Sequence, residues 1–160
     1  THQLSFINAE TKASQCVMKN ELKVSGSVII ESSQERIWDV CTNPEKIRIY
    51  LWSETVTDWK PGSEIAWTGD LGGMKFHNKG KVLENEYGKL LRFEFWNSLG
   101  GYEDRPENYS VITYALEKLG HNKFKFTYTR EKIPSESEHQ MFQDHVPHML
   151  EGMKELAEKA

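Results

Sequence analysis

The chain has 160 residues, a length that fits one domain and buries roughly two-thirds of its unfolded surface without disulfide or metal staples. Its net charge of −4 comes from 20 basic and 24 acidic residues, with Lys and Arg scattered among Asp and Glu, which excludes the basic footprint of a nucleic-acid binder. No apolar run approaches the roughly 20 residues that span a bilayer, and Cys16 and Cys41 form neither a C-x-x-C pair nor a disulfide framework, so a reducing compartment is expected.

The first 20 residues carry no basic start and no apolar stretch of signal-peptide type, so a cytoplasmic location is expected. They are polar and weakly patterned. Residues 1–21 are read as an N-terminal extension and residues 22–159 as the folded domain.

Val24, Gly26, Val28 and Ile30 alternate with Lys23, Ser25, Ser27 and Ile29, which predicts a strand with one buried face. Ser32 or Ser33 then caps a short helix that places Ile37, Val40 and Cys41 on one face, with Trp38 at its flank. Pro44 ends this helix and suits the first position of a second, in which Ile47, Tyr50 and Leu51 fall together. From Glu54 to Arg130 strands alternate with turn signals. The predicted strands cover Thr55 to Trp59, Glu64 to Gly69, Lys75 to Glu86, Lys89 to Trp96, Asn108 to Lys118 and Lys123 to Glu131; residues 97–107 form a Gly- and Asp-rich loop. A last helix follows Pro134 and Ser135, where Phe142, Val146, Met149, Leu150, Met153, Leu156 and Ala157 recur at helical spacing. Pro147 inside it removes a backbone donor and predicts a kink or break near residues 143–146.

Strands joined by short turns imply an antiparallel meander. Its apolar face must be covered, and the last helix is the one element long enough to do so. The expectation is an α+β helix-grip fold: a curved antiparallel sheet of about six or seven strands, two short helices after strand 1 and a long C-terminal helix.

Local sequences strengthen this. Glu35-Arg36-Ile37-Trp38-Asp39-Val40, Thr42-Asn43-Pro44-Glu45, Trp59-Lys60-Pro61-Gly62, Gly80-Lys81-Val82-Leu83-Glu84 and Leu91-Arg92-Phe93 occur in this order. Together they resemble the START-like (SRPBCC, birch-pollen-allergen-like) superfamily, and within it the domain related to the activator of the heat-shock protein 90 ATPase, over about residues 22–158. Members often carry a Gly-Trp in the last helix. His145-Val146 stands there instead, followed by Pro147, Leu150 and Met153, so the resemblance implies a cavity shaped differently at that point.

The alternating strands also supply the candidate site. Leu91, Phe93 and Phe95, then Ile112, Tyr114 and Leu116, then Phe124, Phe126 and Tyr128 each line one strand face, and Ile65, Trp67 and Phe76 add to the same wall. A covered sheet needs such residues for its core alone. The resembled fold usually holds a cavity, and pockets for small molecules are mostly apolar with a few polar anchors. The expected lining is therefore Trp67, Phe76, Asn78, Phe93, Phe95, Tyr114, Phe126, Tyr128, Val146 and Leu150. Tyr114 and Tyr128 bring hydroxyls that orient a ligand or bond to backbone. Asn78 and Glu84 share the inward phase of their strand, and an inward carboxylate could serve as a general acid or base, although a strand end more often meets solvent. His145 and His148 are three apart on a helix, but Pro147 lies between them and no second ligand pair exists, so no metal is expected. Cys41 reads as a small core residue. There is no G-x-S-x-G elbow, no dinucleotide-binding glycine motif and no Walker sequence; no cofactor and no catalytic residue are expected.

The function expected is binding of a hydrophobic or aromatic small molecule between sheet and last helix, rather than catalysis. Two rivals stand beside it: a co-chaperone-like contact with a protein partner, to which exposed Trp52, Trp96 or Arg48 would contribute, and a pocket enzyme of cyclase or hydrolase type. Monomer and dimer are both compatible with the sequence.

Overall fold

The computed structural model describes residues 22–159; the extension expected over 1–21 lies outside the described residues. The elements run β1 (Val24–Ile30), α1 (Gln34–Thr42), α2 (Pro44–Leu51), β2 (Glu54–Val56), β3 (Glu64–Leu71), β4 (Met74–Glu86), β5 (Leu90–Trp96), β6 (Ser110–Gly120), β7 (Lys123–Glu131) and α3 (Glu136–Glu158). The seven strands form one antiparallel sheet of order β1-β7-β6-β5-β4-β3-β2. This is the expected α+β helix-grip architecture, with β1 carried to the far edge of the meander, where it pairs with β7. No helix among the described residues is long and apolar enough to cross a membrane.

The caps act as the sequence requires. The Ser33 side chain accepts from Arg36 N at 3.2 Å, satisfying one orphan N–H of α1. Asn43 closes α1 and its side chain accepts from Glu45 N at 3.0 Å to open α2, with Pro44 at its first position. Trp38, expected at the flank of α1, is buried in the core.

α3 runs unbroken through Pro147, so of the kink or break expected there the break does not occur. Pro147 and Gln143, the residue whose carbonyl loses its intrahelical partner, both lie on the exposed side of the helix, where water can take the bond. The opposite side packs on β1 and the short helices. Ser32 Oγ donates to the Ala157 carbonyl at 2.6 Å and Lys154 Nζ to the Ile29 carbonyl at 2.5 Å.

Two backbone details set the inner face of the sheet. A β-bulge between Val82 and Glu84 shifts the register of β4 against β5, and one extra residue inverts the facing of everything beyond it. Glu84, in the inward phase of its strand by sequence but at a strand end where solvent is the favoured reading, is exposed and pairs with Arg92 at 3.2 Å. Asn85 turns inward instead and donates to the Trp59 carbonyl at 3.0 Å. The second detail is Gly80, buried beneath Trp67. A Cβ there would sit 2.8 Å from the indole Cζ3 and would meet the Glu94 backbone. Gly80→Ala should therefore cost about 3 kcal/mol of stability, the upper end for overpacking, because backbone cannot step aside as a rotamer can; urea denaturation measures it.

Candidate functional site

α3 lies close on β1 but not on the middle of the sheet. At Gly26 of β1 the missing side chain lets the helix approach: a Cβ there would stand 3.0 Å from Leu150 Cδ1 and 3.1 Å from Val146 Cγ1. Over β3 to β7 a cavity of about 430 Å3, partly open to solvent, separates sheet from helix. That volume is within the usual range for small-molecule pockets.

Aromatic rings form its floor. Phe93 is the hub. Its ring meets Trp67 at 5.7 Å, Tyr114 edge-on at 5.4 Å and Trp59 edge-on at 6.0 Å. Tyr114 continues to Tyr128 at 5.9 Å, and Trp67 to Phe95 at 4.9 Å. Such edge-to-face and tilted pairs are favoured over stacked ones. Trp59 is held with its backbone at φ 61, and its indole N–H donates to the Thr42 carbonyl at 2.9 Å, fixing the ring between α1 and the sheet. Ile47, Tyr50 and Leu51 of α2 close one side, Asn97, Leu99 and Gly100 of the loop after β5 another, and Met141, Phe142, His145 and Met149 of α3 form the roof.

Of the expected lining residues, Trp67, Phe76, Asn78, Phe93, Phe95, Tyr114 and Tyr128 surround this one cavity. Phe126, Val146 and Leu150 do not. Phe126 is fully buried against Tyr114 at 5.3 Å. Val146 and Leu150 turn to β1, where they border a separate hollow of about 350 Å3 together with Pro147. The glycine at position 26 draws that helix stripe to the edge of the sheet. The helix face over the cavity is the neighbouring one.

The sequence reading missed the polar end of the cavity. Arg130 and Glu138 both line it and both are buried, with side chains 2% and 3% exposed. Arg130 Nη2 donates to Glu138 Oε1 at 3.0 Å. The guanidinium lies between two rings, with its central carbon 3.4 Å from the Phe142 centroid and 4.6 Å from that of Phe95, a cation–π sandwich that stabilises the buried charge. The Glu138 carboxylate also accepts from Asn97 Nδ2 at 3.4 Å and from the Tyr102 hydroxyl. Arg130 Nε is buried without a partner among the described residues. Two signals point here. The β7 alternation Phe124, Phe126, Tyr128 continues to Arg130, and Ser135 to Glu138 has the S-x-x-E spacing of a capping box. Ser135 does cap Glu138 N at 3.2 Å, but the Glu138 side chain turns to Arg130.

Burial governs the titration of this interior. It pushes the hydroxyl pKa values of Tyr50, Tyr114 and Tyr128 up, with the Arg130 charge opposing it at Tyr114 and Tyr128. Burial and then the bond to Glu138 raise Tyr102, so its hydroxyl remains a donor. Burial also raises the Cys41 thiol, which makes it an inert core residue rather than a nucleophile. At His145 burial lowers the pKa, helped by His148 and Arg130, so the ring is neutral at pH 7. Asn78 Oδ1 accepts from Ser98 N at 2.9 Å and from Ser98 Oγ at 3.0 Å, tying the loop to β4. Among the described residues no three His, Cys, Asp or Glu side chains gather as a metal site.

A sheet wrapped on a long C-terminal helix, with two short helices inserted after its first strand, is the helix-grip fold of the START-like superfamily. The model of the activator of Hsp90 ATPase homolog 1-like proteins matches residues 31–158, and the chain belongs to that family. It is 31% identical to a protein from Cytophaga hutchinsonii whose solution structure superposes with a TM-score of 0.71, covering 83% of this chain and 91% of that one. A protein from Chromobacterium violaceum shares the fold at 16% identity, with a TM-score of 0.71 over 86% of this chain and 98% of its own. CalU16 from Micromonospora echinospora does so at 17% identity, with a TM-score of 0.65 over 85% and 76%. Among curated proteins none matches significantly by sequence.

Proposed function

We propose that this domain binds a hydrophobic small molecule in the cavity between the sheet and α3. The observation that carries this is the aromatic-walled space of about 430 Å3 with one buried polar end at Arg130 and Glu138. A solid core would close such a space, because interiors pack as densely as organic crystals. At about 30 Å3 per liquid water the space of 430 Å3 would hold about 14 waters, which aromatic walls solvate poorly, so an apolar guest gains by displacing them. The arrangement favours binding over catalysis: the one carboxylate that lines the cavity among the described residues is already engaged by three donors.

Native mass spectrometry of the purified protein should show a bound small molecule that is lost on denaturation. Ile112→Trp fills the space from β6. It should abolish the thermal shift given by apolar aromatic ligands while costing about 1–3 kcal/mol of stability. An unshifted melting temperature across an aromatic and acyl-chain panel, with no co-purifying mass, would sink the reading.

The family description favours a second reading, contact with a chaperone ATPase as a protein partner. Trp52, which is 74% exposed at the end of α2, is the surface residue for it; Arg48 is engaged with Glu54 at 2.5 Å and Trp96 with the Glu103 carbonyl at 3.0 Å. Stimulation of the ATPase by the wild type but not by Trp52→Ala would establish it, and no stimulation would exclude it.

A further inference from the structure

We propose that the cavity takes neutral aromatic molecules bearing a hydrogen-bond-accepting oxygen, a ketone or quinone carbonyl in particular, and rejects carboxylates of the same shape. This rests on reading the cavity as a ligand site, and follows from the charge and donor balance of its walls.

Among the described residues the lining holds one cation and one anion, Arg130 and Glu138, joined at 3.0 Å. His145, the remaining ionisable side chain on the wall among the described residues, has its pKa lowered first by burial, which favours its neutral form at pH 7. Every other lining group is apolar, amide, hydroxyl or thiol, so the walls carry no net charge. A ligand carboxylate would leave water without a counterion, and beside Arg130 it would face the Glu138 carboxylate as well. Burying an unpaired charge is costly, whereas a neutral carbonyl needs a single donor.

The donor balance favours an acceptor. Glu138 receives Arg130, Asn97 and the Tyr102 hydroxyl, so its lone pairs are largely occupied. Arg130 has five N–H donors; one meets Glu138, and Nε meets no acceptor among the described residues. The Tyr114 and Tyr128 hydroxyls stand on the same wall and stay protonated. The polar end thus has donors in excess, in a site otherwise made of aromatic faces and edges that suit a planar guest.

Three naphthalenes of nearly one shape separate the possibilities: naphthyl methyl ketone, ethylnaphthalene and naphthoate, titrated by calorimetry at pH 7 into the wild type and into Glu138→Gln. In the wild type the ketone should bind tightest, with naphthoate weaker by about tenfold or more. In Glu138→Gln the wall gains a net positive charge, and naphthoate should tighten by about tenfold while the ketone changes little. Naphthoate binding as well as the ketone in the wild type overturns the neutral selectivity but leaves the cavity a ligand site. Ethylnaphthalene equal to the ketone overturns the role of the acceptor. No heat from any of the three, with Ile112→Trp as the blank, removes the ligand site and the selectivity together. The wild-type comparison stands by itself if Glu138→Gln melts at the titration temperature.

Discussion

Arg130→Met should lower the unfolding free energy by about 3–5 kcal/mol, the cost of leaving a buried carboxylate without its counter-charge. Glu138 is 3% exposed on its side chain, and its other partners among the described residues, Asn97 and Tyr102, are neutral donors, so the guanidinium alone among them supplies a counter-charge. The double variant Arg130→Met/Glu138→Leu should recover most of that loss, because a buried ion pair replaced by apolar groups of similar volume is often neutral or stabilising. Met also keeps part of the contact with Phe95 and Phe142 through its thioether. Urea denaturation of both single variants and the double gives the coupling energy, and it should exceed the worth of any surface pair. Arg48 and Glu54 are the control: they are bidentate at 2.5 and 2.8 Å but more than half exposed, where solvent screening leaves an ion pair little net effect on stability. A double variant as unstable as Arg130→Met would mean that the ring sandwich, not the charge pair, holds this corner together.

The contrast between those two pairs shows what a sequence displays and what it hides. The strands and helices were legible because period-two and period-3.6 patterns are local. Strand 7 shows its inward face without ambiguity from Phe124 to Tyr128. That the same face ends on a charge with a partner on α3 is a tertiary fact, since Glu138 reads locally as a cap residue. The bulge in β4 was also hidden. One inserted residue leaves the hydrophobic pattern nearly intact but turns Glu84 out and Asn85 in, so strict alternation puts the wrong one of the two on the inner face. Gly26 is the third case. As a small residue in an alternating strand it looks like a weak spot, yet it sets where α3 touches the sheet. That contact moves Val146 and Leu150 to the β1 side and leaves Met141, Phe142, His145 and Met149 over the cavity. The length of the helix and its apolar spacing could be read in advance; its rotation about its own axis could not.

The same buried interior predicts a steep loss of stability in alkali. Tyr50, Tyr114 and Tyr128 all have hydroxyl pKa values raised above the ordinary value of 10.0, with burial as the first cause at each. In the unfolded chain these hydroxyls ionise near that ordinary value, so above it the unfolded state binds fewer protons than the native one and stability falls as pH rises. Below the unfolded pKa the contribution is fully present; above it each group removes about 1.4 kcal/mol per pH unit until its native pKa is reached. Three tyrosines acting together remove roughly 4 kcal/mol per unit, a large part of the 5–15 kcal/mol that a domain has in total. Cys41 adds to the slope from the ordinary thiol value of 9.0 upward, again because burial raises it. The protein should therefore unfold cooperatively between about pH 10 and 12, and tyrosinate absorbance should rise in step with loss of the native circular dichroism. Tyr50 is held further by its bond to the Val40 carbonyl at 2.8 Å. Tyr114→Phe removes one of the three groups without emptying its place against Phe93, and should move the alkaline midpoint upward. An ionisation step that precedes unfolding would show instead that these hydroxyls meet water through the cavity.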